Sequence, residues 1–89
     1  MSRVQVRVAA LLHSYTRGAS VVDATGATLG EALEDLDRRY PGMRFRLVDE
    51  QDRLRPHVRV FVNSTDARDL GHPLANGDEL YIVGALSGG

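Results

Sequence analysis

A chain of 89 residues, 43% apolar and 26% charged, has room for one domain with one ordinary core and none for a second lobe or a deep enclosed cleft. The net charge of −1, with both signs interspersed, leaves no basic footprint for nucleic acid, and no apolar run approaches the roughly 20 residues that span a bilayer. Without Cys there are no disulfides, thiolate metal sites, iron–sulfur clusters or Cys nucleophiles; all eleven basic residues are Arg, so no side-chain amine is available for acylation or Schiff-base chemistry.

At the start, MSRVQVRVAALLHSYTR interrupts its apolar residues with Arg and has no small-residue cleavage pattern, so no signal peptide is expected and the cytoplasm is the expected compartment. Arg3, Gln5 and Arg7 alternate with Val4, Val6 and Val8, the period of a half-buried strand. HSYTRGAS carries turn formers and SVVDAT offers a second short strand, which predicts a hairpin. In TLGE, Thr28 is placed to cap a helix and Glu31 to reciprocate. Leu29, Leu33, Leu36 and Tyr40 form one apolar stripe, with Glu34–Arg38 and Asp35–Arg39 as supporting pairs on the outer face. YPG stops the helix. From Met43 to Pro56 the pattern is irregular: a loop with at most a helical turn, anchored by Phe45, Leu47, Val48 and Leu54. HVRVFVN, His57 to Asn63, is a strand with Val58, Val60 and Val62 on one face. Turn-rich stretches follow, with a minor strand expected near Ala67–Leu70 and a last strand over Glu79–Val83. The order ββ–α–β–β means α+β, an open sheet with the helix on its apolar face.

Chemistry-bearing motifs are scarce. His13, His57 and His72 have no metal-ligand spacing, and DEQDR lacks the periodic oxygens and central glycine of a calcium loop. No glycine-rich phosphate loop exists, Ser14, Ser64 and Ser87 have no triad partners nearby, and the sequon at Asn63 is idle without secretion. The chain is therefore not expected to be an enzyme. What remains is the end, YIVGALSGG, where small residues follow directly on a strand. Glycine has no Cβ, so a Gly-Gly terminus can thread a narrow channel and present its carboxylate to a bound nucleotide. Adenylation of that carboxylate gives an anhydride open to attack by a thiol, persulfide or sulfide. Strand parity also leaves Phe61, Tyr81 and Val83 on the face away from the helix, beside the exit of the tail; with Arg7 and Arg59 they are candidates for a partner contact.

The succession TLGEALEDLDRRYPG, HVRVFVN, LANGDELYIV and a final GG resembles the MoaD/ThiS family of ubiquitin-like sulfur carriers over nearly the whole chain, most strongly in the GDEL turn and the SGG end. The long segment 43–56 and RPHVRVFVN are most similar to the branch that serves thiocarboxylate-dependent cysteine synthesis. One departure is Gly84, where relatives in the molybdopterin and cysteine branches often carry Pro. The resemblance implies a single β-grasp (ubiquitin-like) domain over 1–89, a mixed sheet packed on one main helix. A flexible tail, Gly84, Ala85, Leu86, Ser87, Gly88 and Gly89, would leave the last strand. It also implies that an E1-like enzyme, using ATP and magnesium, adenylates Gly89, which then becomes a thiocarboxylate and gives its sulfur to a downstream synthase making cysteine or another sulfur-containing metabolite. In that role the chain binds no cofactor stably, has no metal, nucleic-acid or membrane partner, and is monomeric alone. Two alternatives share the tail: the small subunit of a molybdopterin synthase, or a protein modifier forming isopeptide bonds through Gly89. A plain interaction domain with an incidental terminus is the third.

Overall fold

The structure, a computed structural model, describes residues 2–84. Alternation along the strands decides which face is covered. β1 (Ser2–Val8) buries Val4, Val6 and Val8, and β2 (Val21–Gly26) returns antiparallel to it with Val22 and Ala24 on the same side. β3 (Val58–Val62) buries its three valines, and β5 (Glu79–Gly84) buries Leu80 and Ile82. With the two-residue β4 (Thr65–Asp66) they form one five-stranded sheet in the order β2-β1-β5-β3-β4. β1 and β5 run parallel at its centre, and the other pairs are antiparallel. The last strand thus sits in the middle of the sheet, braced on both sides.

α1 (Leu29–Arg39) lies across the buried face, and Leu29, Leu33 and Leu36 have no exposed surface. Burying each such side chain contributes about 1.5–3 kcal/mol, which makes this stripe the main adhesive between the layers. The helix starts as its sequence predicts. The Glu31 N–H donates to Thr28 Oγ1 at 3.2 Å, and the returning Glu31 carboxylate accepts from the N–H of Ala27 at 2.8 Å, one residue ahead of the cap itself. At the other end the Asp37 carboxylate accepts from the N–H groups of Gly42 and Arg44, 3.1 Å each, and so turns the chain into α2 (Met43–Leu47).

Three local expectations are corrected. Asp35 is not on the outer face: it is buried, accepts the Thr25 N–H of β2 at 3.0 Å, and pairs with both Arg38 and Arg39 at 3.0 Å. Arg38 therefore goes to Asp35 rather than to Glu34, because a carboxylate facing the sheet edge is held in place while Glu34 points to solvent. The minor strand is Thr65–Asp66, not Ala67–Leu70, because Asn63 and Ser64 both adopt positive φ (49° and 78°) and turn the chain back at once. Phe45 is no core anchor. Met43 and Leu47, four apart on α2, share the buried face and leave Phe45 71% exposed, whereas Leu47, Val48 and Leu54 are buried as expected.

Candidate functional site

The site is built outward from β5. The turn before it needs Gly77, whose φ is +89°, and it closes when the Ala75 N–H donates to the Asp78 carboxylate at 2.8 Å and the Asp78 N–H to the Ala75 carbonyl at 3.0 Å. The other oxygen of Asp78 accepts from the Asn63 amide at 2.8 Å, and Asn63 in turn accepts the Glu79 N–H at 2.9 Å. The Ala75 N–H and the Asn63 amide hold the Asp78 carboxyl below its ordinary pKa against a weak opposing effect of burial. The GDEL stretch is thus a physical lock that sets the register of β5 against β3.

Register then fixes the open face of the sheet. Arg7 lies opposite Tyr81, Tyr81 opposite Phe61, and Arg59 opposite Val83. The five residues expected to meet a partner are therefore one contiguous patch over three strands. Tyr81 is 43% exposed, Phe61 and Val83 are half-buried, and Arg7 and Arg59 reach solvent. Arg59 also reaches Asp66 on the edge strand at 3.6 Å. A shallow cavity of about 490 Å³ lies on this face, lined by Arg7, Phe61, Tyr81, Asn63 and neighbouring residues. Of this lining Arg7, Phe61 and Tyr81 were legible from parity; the contribution of Asn63 and Ser64 was not, since the turn they make was read as an idle sequon.

Gly84, expected as the first residue of the tail, is the last residue of β5 and still pairs with Val58. A Cβ there would meet nothing within 4 Å, so packing does not require glycine at this position. The remaining tail residues, Ala85, Leu86, Ser87, Gly88 and Gly89, lie outside the described residues. No cluster of His, Cys, Asp or Glu suited to a metal ion occurs among the described residues, and no described helix is long and apolar enough to cross a membrane.

The comparisons with known proteins agree with this architecture. The model of the ThiS family matches residues 6–89. The chain is 35% identical to the sulfur carrier protein CysO of Mycobacterium tuberculosis, over 97% of this chain and 98% of that protein. It is 38% identical to the small archaeal modifier protein 1 of Haloferax volcanii, over 76% of this chain and 78% of that one. A chain in the crystal structure of the BexX/CysO complex of Amycolatopsis orientalis superposes with a TM-score of 0.88 at 35% identity, covering 97% of this chain and 99% of its own. A central parallel β1–β5 pair, a hairpin on either side and one helix across a single face make this a ubiquitin-like β-grasp domain, and by its match from residue 6 to residue 89 the chain belongs to the ThiS family.

Proposed function

We propose that this chain is a sulfur carrier that works through the carboxyl group of Gly89. The observation that carries the reading is similarity to a protein named as a sulfur carrier along almost the full length of both chains. In this scheme the Gly89 carboxylate attacks the α-phosphorus of ATP in an E1-like enzyme that holds magnesium, and pyrophosphate leaves. Sulfide then attacks the acyl carbon, AMP leaves with the C–O bond that breaks, and a thiocarboxylate remains. A downstream synthase takes that sulfur into cysteine or another sulfur-containing metabolite. The carrier itself contributes no catalytic side chain: β5 provides a rigid base, residues 85–89 provide reach, and the patch of Phe61, Tyr81 and Val83 with Arg7 and Arg59 provides docking. That a chain similar to this one was crystallised as part of a BexX/CysO complex supports a role exercised through partners.

Intact mass after co-expression with an activating enzyme and a sulfur source tests this. The expected result is the gain of one sulfur-for-oxygen replacement, lost when Gly89 is deleted. No gain with any activating enzyme from the same organism would overturn the reading. Similarity to the small archaeal modifier protein 1 favours one second reading, transfer of Gly89 to lysines of other proteins. Isopeptide remnants ending in Gly-Gly on cellular lysines would show it.

A further inference from the structure

The chain has two asparagines, Asn63 and Asn76, and only Asn76 is followed by glycine. An asparagine before glycine is chemically labile, because the next main-chain nitrogen can attack the side-chain carbonyl carbon and no Cβ stands in the way. The surroundings are open as well: Asn76 and Gly77 are both exposed, and a Cβ on Gly77 would meet nothing within 4 Å. Asn63 precedes a serine, and both ends of its amide are engaged, Nδ2 donating to the Asp78 carboxylate at 2.8 Å and Oδ1 accepting the Glu79 N–H at 2.9 Å.

What restrains Asn76 is the start of β1. The Arg3 N–H donates to Asn76 Oδ1 at 2.8 Å, and the Gly77 N–H donates to the Arg3 carbonyl at 2.9 Å, so one residue holds both reacting groups. The Ser2 hydroxyl donates to the Leu74 carbonyl at 3.0 Å and tightens the same junction. This clamp extends past the β1–β5 ladder, which begins only at Gln5–Glu79, and Thr25, opposite Arg3 on β2, gives its N–H to Asp35. Such exposed bonds at a strand end open far more readily than the core.

We propose that Asn76–Gly77 is a site of spontaneous covalent modification, gated by release of Arg3, and that its isoaspartyl product unlocks β5. When Arg3 lets go, the Gly77 nitrogen gives its proton to hydroxide and attacks the Asn76 side-chain carbonyl carbon. The new C–N bond closes a succinimide, and the side-chain nitrogen takes a proton from water and leaves as ammonia. Water then opens the ring. Cleavage of the new C–N bond leaves an aspartyl residue at position 76; cleavage of the original peptide C–N bond leaves an isoaspartyl residue, with the main chain routed through the side-chain methylene. The aspartyl product keeps an oxygen that accepts the Arg3 N–H. The isoaspartyl product lengthens the main chain inside the turn that the Ala75 N–H and carbonyl close on Asp78. Asp78 then loses its place against the Asn63 amide, and its carbonyl no longer accepts the Gln5 N–H, a bond of 3.1 Å. Damage at an exposed turn thereby reaches the strand that carries Tyr81.

Two measurements test it. In the first, the full chain is kept at mildly alkaline pH and sampled over days by peptide mapping and by methyl transfer from labelled S-adenosylmethionine with an isoaspartyl methyltransferase. Asn76 should convert and Asn63 should not. Conversion should run roughly ten- to hundredfold slower than in the free peptide 72–82, as expected when a few exposed hydrogen bonds must open first. Ser2→Ala and Arg3→Pro each remove one donor of the clamp and should each speed it; thermal unfolding identifies a variant that fails to fold, and the other then decides. Conversion as fast as in the peptide, no conversion at Asn76, or a rate that climbs with urea as steeply as global unfolding overturns the proposal. In the second, the isoaspartyl form is separated by ion exchange and compared with Asn76→Asp by hydrogen exchange. The amides of Gln5, Asp78 and Glu79 should exchange at least about tenfold faster in the isoaspartyl form. Equal protection in the two overturns the unlocking of β5.

Discussion

Gly26 and Gly84 bracket what a single residue does here. A Cβ on Gly26 would lie 2.6 Å from the Ala32 nitrogen and 2.9 Å from the Glu31 carbonyl carbon, all backbone of α1 that cannot move aside cheaply. Gly26→Ala should therefore cost about 1–3 kcal/mol, read as a lower denaturation midpoint in urea. Gly84→Ala meets nothing and should leave stability equal or up to about 1 kcal/mol higher, with sulfur loading in the mass assay retained. Asp35 carries the other residue-scale prediction. Burial disfavours its charge, but the Thr25 N–H and the Arg38 and Arg39 guanidinium groups outweigh that and hold its pKa below the ordinary value. Asp35→Ala leaves the Thr25 N–H without its partner and should cost about 1–3 kcal/mol. A lowered folded pKa means the carboxylate stabilises fully above its unfolded pKa, and the contribution disappears as pH falls through the folded value. The native chain should thus lose stability below about pH 4, and Asp35→Ala should show a shallower acid loss in pH-dependent denaturation.

At the scale of elements, the turn between β3 and β4 holds strain. Ser64 sits at a φ of 78°, a region that costs a non-glycine residue roughly 1–2 kcal/mol. Ser64→Gly should raise stability by about 0.5–1 kcal/mol after the larger unfolded-state entropy of glycine is set against the relief. Thermal unfolding measures this, and a lower midpoint would show that the serine side chain contributes a contact worth more than the strain. The same turn explains a misplaced strand. The sequence shows the apolar residues Ala67 and Leu70 between turn-rich stretches, but pairing is decided by where the chain reverses, and Asn63–Ser64 reverse it two residues earlier. α1 was legible because its cap, its stripe and its stop all agree. α2 was read only as a possible turn because five residues cannot establish a helical period, and only burial of Met43 and Leu47 reveals which side faces the core.

At the scale of the molecule, two expectations of the proposed carrier reading are separable. One added residue beyond Gly89 should abolish thiocarboxylate formation while the unfolding temperature stays unchanged, since the addition lies past the last described strand residue. Tyr81→Ala should weaken binding to the activating enzyme by about 1–2 kcal/mol, as expected for an aromatic contact at a docking face, with the fold retained because Tyr81 lies outside the core. Isothermal titration for the second and intact mass for the first keep the two apart.

The sequence by itself determined the four longer strands, the main helix and the faces of the sheet, because periods of two and 3.6 and a cap are local properties written in consecutive residues; the family came from the resemblance of its motifs. The parity of Phe61, Tyr81 and Val83 was legible for the same reason. Tertiary structure alone decided the rest. Asp35 serves the sheet edge only because α1 packs beside β2, and Phe61, Tyr81 and Arg7 form one patch only because β5 inserts between β1 and β3.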